Sequence, residues 1–135
     1  MSTRAKIIVK DEYDTLYFYR HSDGYPEGVK PTLTVLLDML KKGLVRNNVG
    51  QFAGWLILIG AWEYDTLPKR IKEKYDVENS EFKPDLKNNG FDWKVGAYEP
   101  ITSDHVDFAY QYIFNLKTKE IKVYEYNDKL IETWK

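Results

Sequence analysis

Cysteine is absent from the 135 residues, which excludes disulfide staples, thiolate nucleophiles and Cys-ligated zinc or iron–sulfur sites. Bulk charge of one sign is missing too. Lys and Arg number 20 against 21 Asp and Glu, a formal net charge of -1. That balance argues against generic nucleic-acid binding through a basic surplus. The longest apolar run, residues 52–62, is broken by Gly54 and Gly60 and falls short of the roughly 20 residues a membrane span requires. The first residues lead straight into a β-like run instead of a secretion-signal core, so a cytoplasmic protein with no membrane partner is expected. A GxSxG elbow, a Walker loop and a strand–Gly-rich–helix unit are also lacking, so neither a serine hydrolase, a P-loop enzyme nor a dinucleotide fold is indicated. No cofactor is expected. What the chain does have is aromatic residues at 16%, with 11 Tyr, 6 Phe and 4 Trp. Aromatics in such number serve a core, a stacking pocket or an interface.

Length and a 30% charged, 43% apolar composition fit one globular domain spanning residues 1–135. Residues 3–10 alternate as a strand, and Asp11, Glu12 and Asp14 form a turn into a second, aromatic-rich strand over 15–21, a hairpin. Residues 22–31 are turn chemistry, after which Pro31 or Thr32 opens a helix with Leu33, Leu36, Leu37, Leu40 and Leu44 on one face. A second helix over about 48–64 is apolar on both sides: Val49, Phe52, Ala53, Leu56 and Ile59 on one, Trp55, Leu58 and Trp62 on the other. Such a helix is expected to be central, buried against a sheet and a second element. Residues 65–92 read as a polar loop or lid-like insertion, with a short helix near 68–75. Strands follow over 93–99, 106–116 and 120–126, with 129–134 as an additional short edge segment. Phe108, Tyr110, Tyr112, Phe114 and Leu116 share one face of the long strand. The order ββααβββ predicts an α+β single domain: an antiparallel or mixed sheet of about five strands with two main helices on one face.

The densest chemistry lies at 20–28, Arg-His-Ser-Asp-Gly-Tyr-Pro-Glu-Gly, where a strand yields to a loop. His21 and Asp23 have the spacing for a carboxylate to orient an imidazole, while Asp23-Gly24 and Tyr25-Pro26 equally suit a purely structural turn. His105 and Asp107 repeat the His-x-Asp pattern with the chain's other histidine. Two such pairs converging would give a nitrogen/oxygen metal set, although the spacing is not a metal motif and both pairs equally suit exposed loops. Arg4 and Arg20 fall in the two strands of the first hairpin, where paired guanidiniums could hold one phosphate or carboxylate. The plainer reading is a surface charge facing an acidic neighbour. Arg46-Asn47-Asn48 opens the second helix, either an anion site or a helix cap. Trp93 and Tyr98, with Glu99, offer a stacking platform with an acceptor for a base edge, or else core aromatics.

The opening Met-Ser-Thr-Arg, followed by Tyr-Arg-His-x-Asp-Gly-Tyr-Pro, resembles a family of short uncharacterised proteins from phages, prophages and bacteria. The similarity extends through RNNVGQFAGWLILIGAWEY and WKVGAYEP to HVDFAYQYIF, with 65–92 as the variable part. The motif marks the family and not an activity. The resemblance implies a viral or mobile-element origin, acting in the host-cell cytoplasm, and adds weight to Arg4, His21, Asp23 and Tyr25 as a shared site. The leading expectation is a host-takeover or anti-defence protein that sequesters a small anionic ligand, in its sharpest form a cyclic nucleotide signal. Arg4 and Arg20 would take the phosphate, beside His21 and Asp23, and Tyr25, Trp93 and Tyr98 would stack on the base. Two alternatives stand beside it: a metal-assisted phosphoester hydrolase using His21, Asp23, His105 and Asp107, and an inhibitor that binds a host protein through aromatic surface. Homo-oligomerisation is compatible with each.

Overall fold

The computed structural model describes residues 3–63, 98–103 and 106–135. The polar segment 65–92, the short helix expected near 68–75, Trp93 and His105 lie outside them. The first hairpin forms as the alternation predicts: β1 (Ala5–Lys10) pairs antiparallel with β2 (Thr15–Arg20). Asp11 closes the turn, its Oδ1 accepting the amides of Tyr13 and Asp14 at 2.8 Å each. Helix α1 (Pro26–Lys41) starts earlier than the sequence suggested. Pro26 takes the first helical position, where a missing N–H costs nothing, and Pro31 lies inside the helix. Amides of Gly28 and Val29 both reach the Tyr25 carbonyl, so the first turn closes ahead of the second proline. Thr32 is consequently a buried helical residue and not a cap. Gly43, at φ 72°, ends the turn after α1, with the Leu44 amide returning to the Met39 carbonyl at 2.9 Å.

Helix α2 (Val49–Glu63) is capped by Asn48, whose Oδ1 accepts the Gln51 amide at 3.1 Å. It buries Val49, Phe52 and Leu56. Its second side is more open than an all-round apolar helix leads one to expect, with Ile57 and Leu58 exposed and Trp55 half-buried. The remaining strands are β3 (Glu99–Ile101), β4 (Tyr110–Asn115), β5 (Glu120–Glu125) and β6 (Leu130–Trp134). The domain is α+β with a mixed sheet of six strands in the order β3-β2-β1-β4-β5-β6. The expected count of about five is exceeded because 130–134 is a full edge strand, which makes the element order among the described residues ββααββββ. The long strand expected over 106–116 narrows to β4, leaving Phe108 outside it. Among the described strands only β1 and β4 run parallel; the other pairs are antiparallel.

Register gives the two faces of this sheet different compositions. On the inner face Ile7 lies between Phe18 and Tyr112, with Val123 beyond, and Val9 is level with Phe114 and Ile121. All of these are buried with Val29, Leu33, Leu36, Leu37 and Leu40 of α1 and with α2. The Phe52 and Phe114 rings meet edge-on at 4.5 Å between centroids, and Lys30 of α1 reaches over Trp134 of β6 at 5.5 Å. Both helices therefore share this face. On the outer face Lys6 lies between Tyr19 and Gln111 with Tyr124 beyond, and Ile8 lies between Tyr17 and Ile113 with Lys122 beyond. These side chains are half-buried, except Lys6, which is 7% exposed.

Candidate functional site

The motif at 20–28 folds as a strand-to-helix turn that doubles back on β1. Asp23 takes a left-handed backbone, φ 56°, and the Gly24 amide donates to the Thr3 carbonyl at 2.9 Å. A Cβ on Gly24 would come within 2.8–2.9 Å of Ala5 Cβ, Ala5 N and Arg4 C, so only glycine allows the turn this close to β1. Tyr112, buried on β4, donates its hydroxyl to the Gly24 carbonyl at 2.6 Å. Burial pushes its phenol well above the usual range. A Cβ on Gly28 would collide with the Asp23 carbonyl, which explains the second glycine. Much of what reads as a site motif is thus the packing of one turn against two strands.

Arg20 belongs to the inner side. It lies level with Ala5, is 2% exposed, and donates from Nε to the Ser22 carbonyl at 2.7 Å. Its guanidinium carbon stands 5.1 Å from the ring centroid of Tyr98, which is itself buried. Tyr25 and Asp23 lie at the mouth of the turn, where the Tyr25 hydroxyl donates to Asp23 Oδ1 at 3.3 Å. The Asp23 carboxylate raises the Tyr25 phenol above its ordinary value, so that phenol stays protonated.

Arg4 and His21 are placed differently. Extending the strand alternation one residue outward from Ala5 and Arg20 puts both on the Lys6 and Tyr19 side. The structure therefore separates Arg4 from Arg20 across the sheet. Arg4 is exposed, yet its backbone is fixed, because its carbonyl accepts the Ala109 amide at 2.9 Å. Tyr19 Oη and His21 Nδ1 are 2.7 Å apart. A neutral imidazole accepts the Tyr19 hydroxyl there and carries its proton on Nε2, while an imidazolium donates to the same oxygen. Phe108, just before β4, has its ring 4.8 Å from the Lys6 ammonium. Arg4, Lys6, Tyr19, His21 and Phe108 thus gather where β1 and β4 begin and β2 ends.

No family model matches the chain, and no curated protein or solved structure matches it either. Of the residues singled out in the sequence, Arg4 and His21 share the outer edge, while Arg20, Asp23, Tyr25 and Tyr98 share the turn on the other side. Asp107 is exposed, and His105 and Trp93 lie outside the described residues, so the convergence of the two His-x-Asp pairs is not addressed by them. Among the described residues no group of three or more His, Asp or Glu is arranged to hold a metal ion. No described helix is long and apolar enough to cross a membrane. As site residues, Lys6, Tyr19 and Phe108 were not singled out in the sequence: Tyr19 entered only within the family motif and Phe108 only in the aromatic ladder. The signal available for Tyr19 was its i, i+2 spacing to His21, which puts both on one side of a strand.

Proposed function

We propose that this chain is a phage-type host-takeover or anti-defence protein that binds and sequesters a small anionic ligand, in its sharpest form a cyclic nucleotide signal. The observation that supports this reading best is the outer-edge cluster. There a backbone-anchored, exposed Arg4 stands on the side of the Tyr19–His21 pair, next to the Lys6–Phe108 contact. An arginine held by its own main chain and free at its side chain gives a bidentate contact to phosphate at small entropic cost. His21 and Tyr19 add hydrogen-bonding groups, and Phe108 adds an aromatic face. Arg20, Asp23, Tyr25 and Tyr98 act from the other side of the sheet, keeping the strand-to-helix turn in place and presenting a second aromatic edge at Tyr25. The phage-type context rests on the resemblance carried by the opening Met1–Arg4 and the Tyr19–Pro26 motif.

The test is incubation of the folded protein with a nucleotide panel, cyclic species included, followed by heat denaturation and chromatography of the released small molecules. Depletion of one species and its intact return after heating is the expected result. It should be lost in Arg4→Ala and His21→Ala variants whose melting temperatures match the parent. Return of the ligand as a product would replace sequestration with turnover. No depletion would overturn the reading in favour of a host-protein target.

A further inference from the structure

A helix packed on a sheet ordinarily turns charged and polar side chains outward. Helix α2 does not, and we propose that its solvent side docks on α2 of a second copy of this chain as an antiparallel, two-fold pair. From Asn47 to Trp62 the sequence holds no charged residue. The helix buries Val49, Phe52 and Leu56, while Gly50, Gln51, Gly54, Ile57 and Leu58 are exposed. At about 100° per residue these five fall within one arc of about 120°, with Gly54 at its centre. Ile57 is 37% and Leu58 42% exposed. A Cβ on Gly54 would meet nothing within 4 Å, and one on Gly50 would meet only Asn48 Oδ1 at 3.4 Å, an ordinary contact. Gly24 and Gly28 are required by their own chain; Gly50 and Gly54 are not, although glycine is unfavourable inside a helix. Their missing side chains leave a shallow groove along the middle of the stripe, where another backbone can approach closely.

The occupant follows from the shape and charge of the stripe. Small residues lie toward its N-terminal end and large ones toward its C-terminal end, and a reversed copy of the same helix complements that gradient. A two-fold axis at Gly54 sets Gly50 opposite Leu58 and Gln51 opposite Ile57, so the bulk of each copy meets the less bulky half of the other. Charge selects the same orientation. Arg46, which is exposed, precedes α2, and Glu63 is the last residue of the helix. Reversal sets the basic end of one copy beside the acidic end of the other, twice over, whereas a parallel pair sets like beside like. A charged partner would find no counter-charge on the stripe. The 15 residues give a face about 22 Å long and about 10 Å wide. That footprint is well under the roughly 800 Å² each partner gives to a standard interface, so the association is weak and concentration-dependent. No residue of this face belongs to the outer-edge cluster of Arg4 and His21, and the dimer does not depend on the small-ligand reading.

Sedimentation velocity of the full chain from about 1 to about 500 µM, at about 50 mM salt, tests the proposal. A reversible monomer–dimer equilibrium, half-associated at on the order of 100 µM, is the expected result. Gly54→Ala should weaken the dimer about tenfold by obstructing the groove from both copies. The melting temperature of the dilute variant should hold or rise, because the new methyl meets nothing in its own chain and alanine favours the helix. Leu58→Glu should abolish association over this range. Arg46→Glu and Glu63→Arg should each weaken it by about fivefold, and the double variant should recover most of that loss. Should Leu58→Glu fail to fold, Gly54→Ala and the charge reversals decide. A monomer throughout the range, or a dimer of unchanged strength in the folded variants, would overturn the proposal. A monomer that cosediments with phosphatidylcholine vesicles would also overturn it and assign the stripe to a lipid surface.

Discussion

The two faces of this sheet are made from the same four strands, alternate residue by alternate residue, and yet obey different rules. The inner face places Ile7, Val9, Phe18, Tyr112, Phe114, Ile121 and Val123 against two helices and leaves them 1% exposed or less. The outer face places Lys6, Ile8, Tyr17, Tyr19, Gln111, Ile113, Lys122 and Tyr124 in the same rows, mostly half-buried. Side chains on the first face are fixed by close packing, so their identity is dictated by volume. On the second they are amphipathic, with apolar bodies on the sheet and polar tips outward, a composition that suits recognition. Arg20 and Arg4 show the contrast most directly. Both are arginines near one end of the hairpin, but Arg20 holds the fold from inside while Arg4 is available outside.

The comparison breaks most readily at the core. Phe52→Ala removes a ring that packs edge-on against Phe114 and should destabilise the protein by about 3–5 kcal/mol in urea denaturation. Tyr17→Ala, from the outer face, should cost about 1 kcal/mol or less. Comparable losses at the two sites would mean that the outer face is packed as tightly as the inner one. Gly24→Ala comes next, at about 2–4 kcal/mol, because the new methyl meets main-chain atoms of Arg4 and Ala5 that cannot rotate away.

A smaller effect separates the two sides of the strand-to-helix turn. Tyr112→Phe deletes the buried bond to the Gly24 carbonyl and should cost about 1–2 kcal/mol. Tyr25→Phe deletes an exposed and longer bond to Asp23 and should change stability by about 0.5 kcal/mol or less. Paired denaturation curves for the two variants check this, and a larger loss at Tyr25 would move the centre of the turn from its buried to its exposed side.

Period-two alternation in 5–10 and 15–20, leucines at helical spacing and the Asp-rich turn made the hairpin, both helices and the α+β class legible from sequence. Alternation says which residues share a face but not which face the helices cover. The reading of Arg4 and Arg20 as partners needed the register, and Ala5 opposite Arg20 puts them on opposite sides. The start of α1 was misplaced because Pro26 and Pro31 each suit a helix's first position, and only the amides converging on the Tyr25 carbonyl distinguish them. Gly24 and Gly28 were legible as turn residues. Their actual requirement, close approach to β1 and to the Asp23 carbonyl, is a tertiary fact. Phe108 was read as part of an aromatic ladder, but it precedes β4 and sits against Lys6, a pairing that local spacing does not encode.

The smallest effect comes from a region that belongs to neither face and therefore serves as a control for both. In the β1–β2 turn, main-chain amides of Asp14 and Tyr13 bond to the Asp11 carboxylate and hold its pKa below the ordinary 3.8. A carboxylate with a lowered folded pKa contributes stability that is fully present above its unfolded value, near pH 4, and is lost as pH falls through the folded value. Asp11→Asn keeps an acceptor for the turn but removes the charge. The stability difference between parent and variant should accordingly be constant from neutral pH down to about pH 5 and shrink below about pH 4. The carboxylate lies at the surface, so solvent screens it and the difference should be small throughout. Urea denaturation of both proteins across this range measures it. A difference that instead grows toward acid pH would show that the turn does not stabilise the ionised carboxylate. The hairpin's register, and with it the assignment of residues to the two faces, would then have to rest on the strands alone.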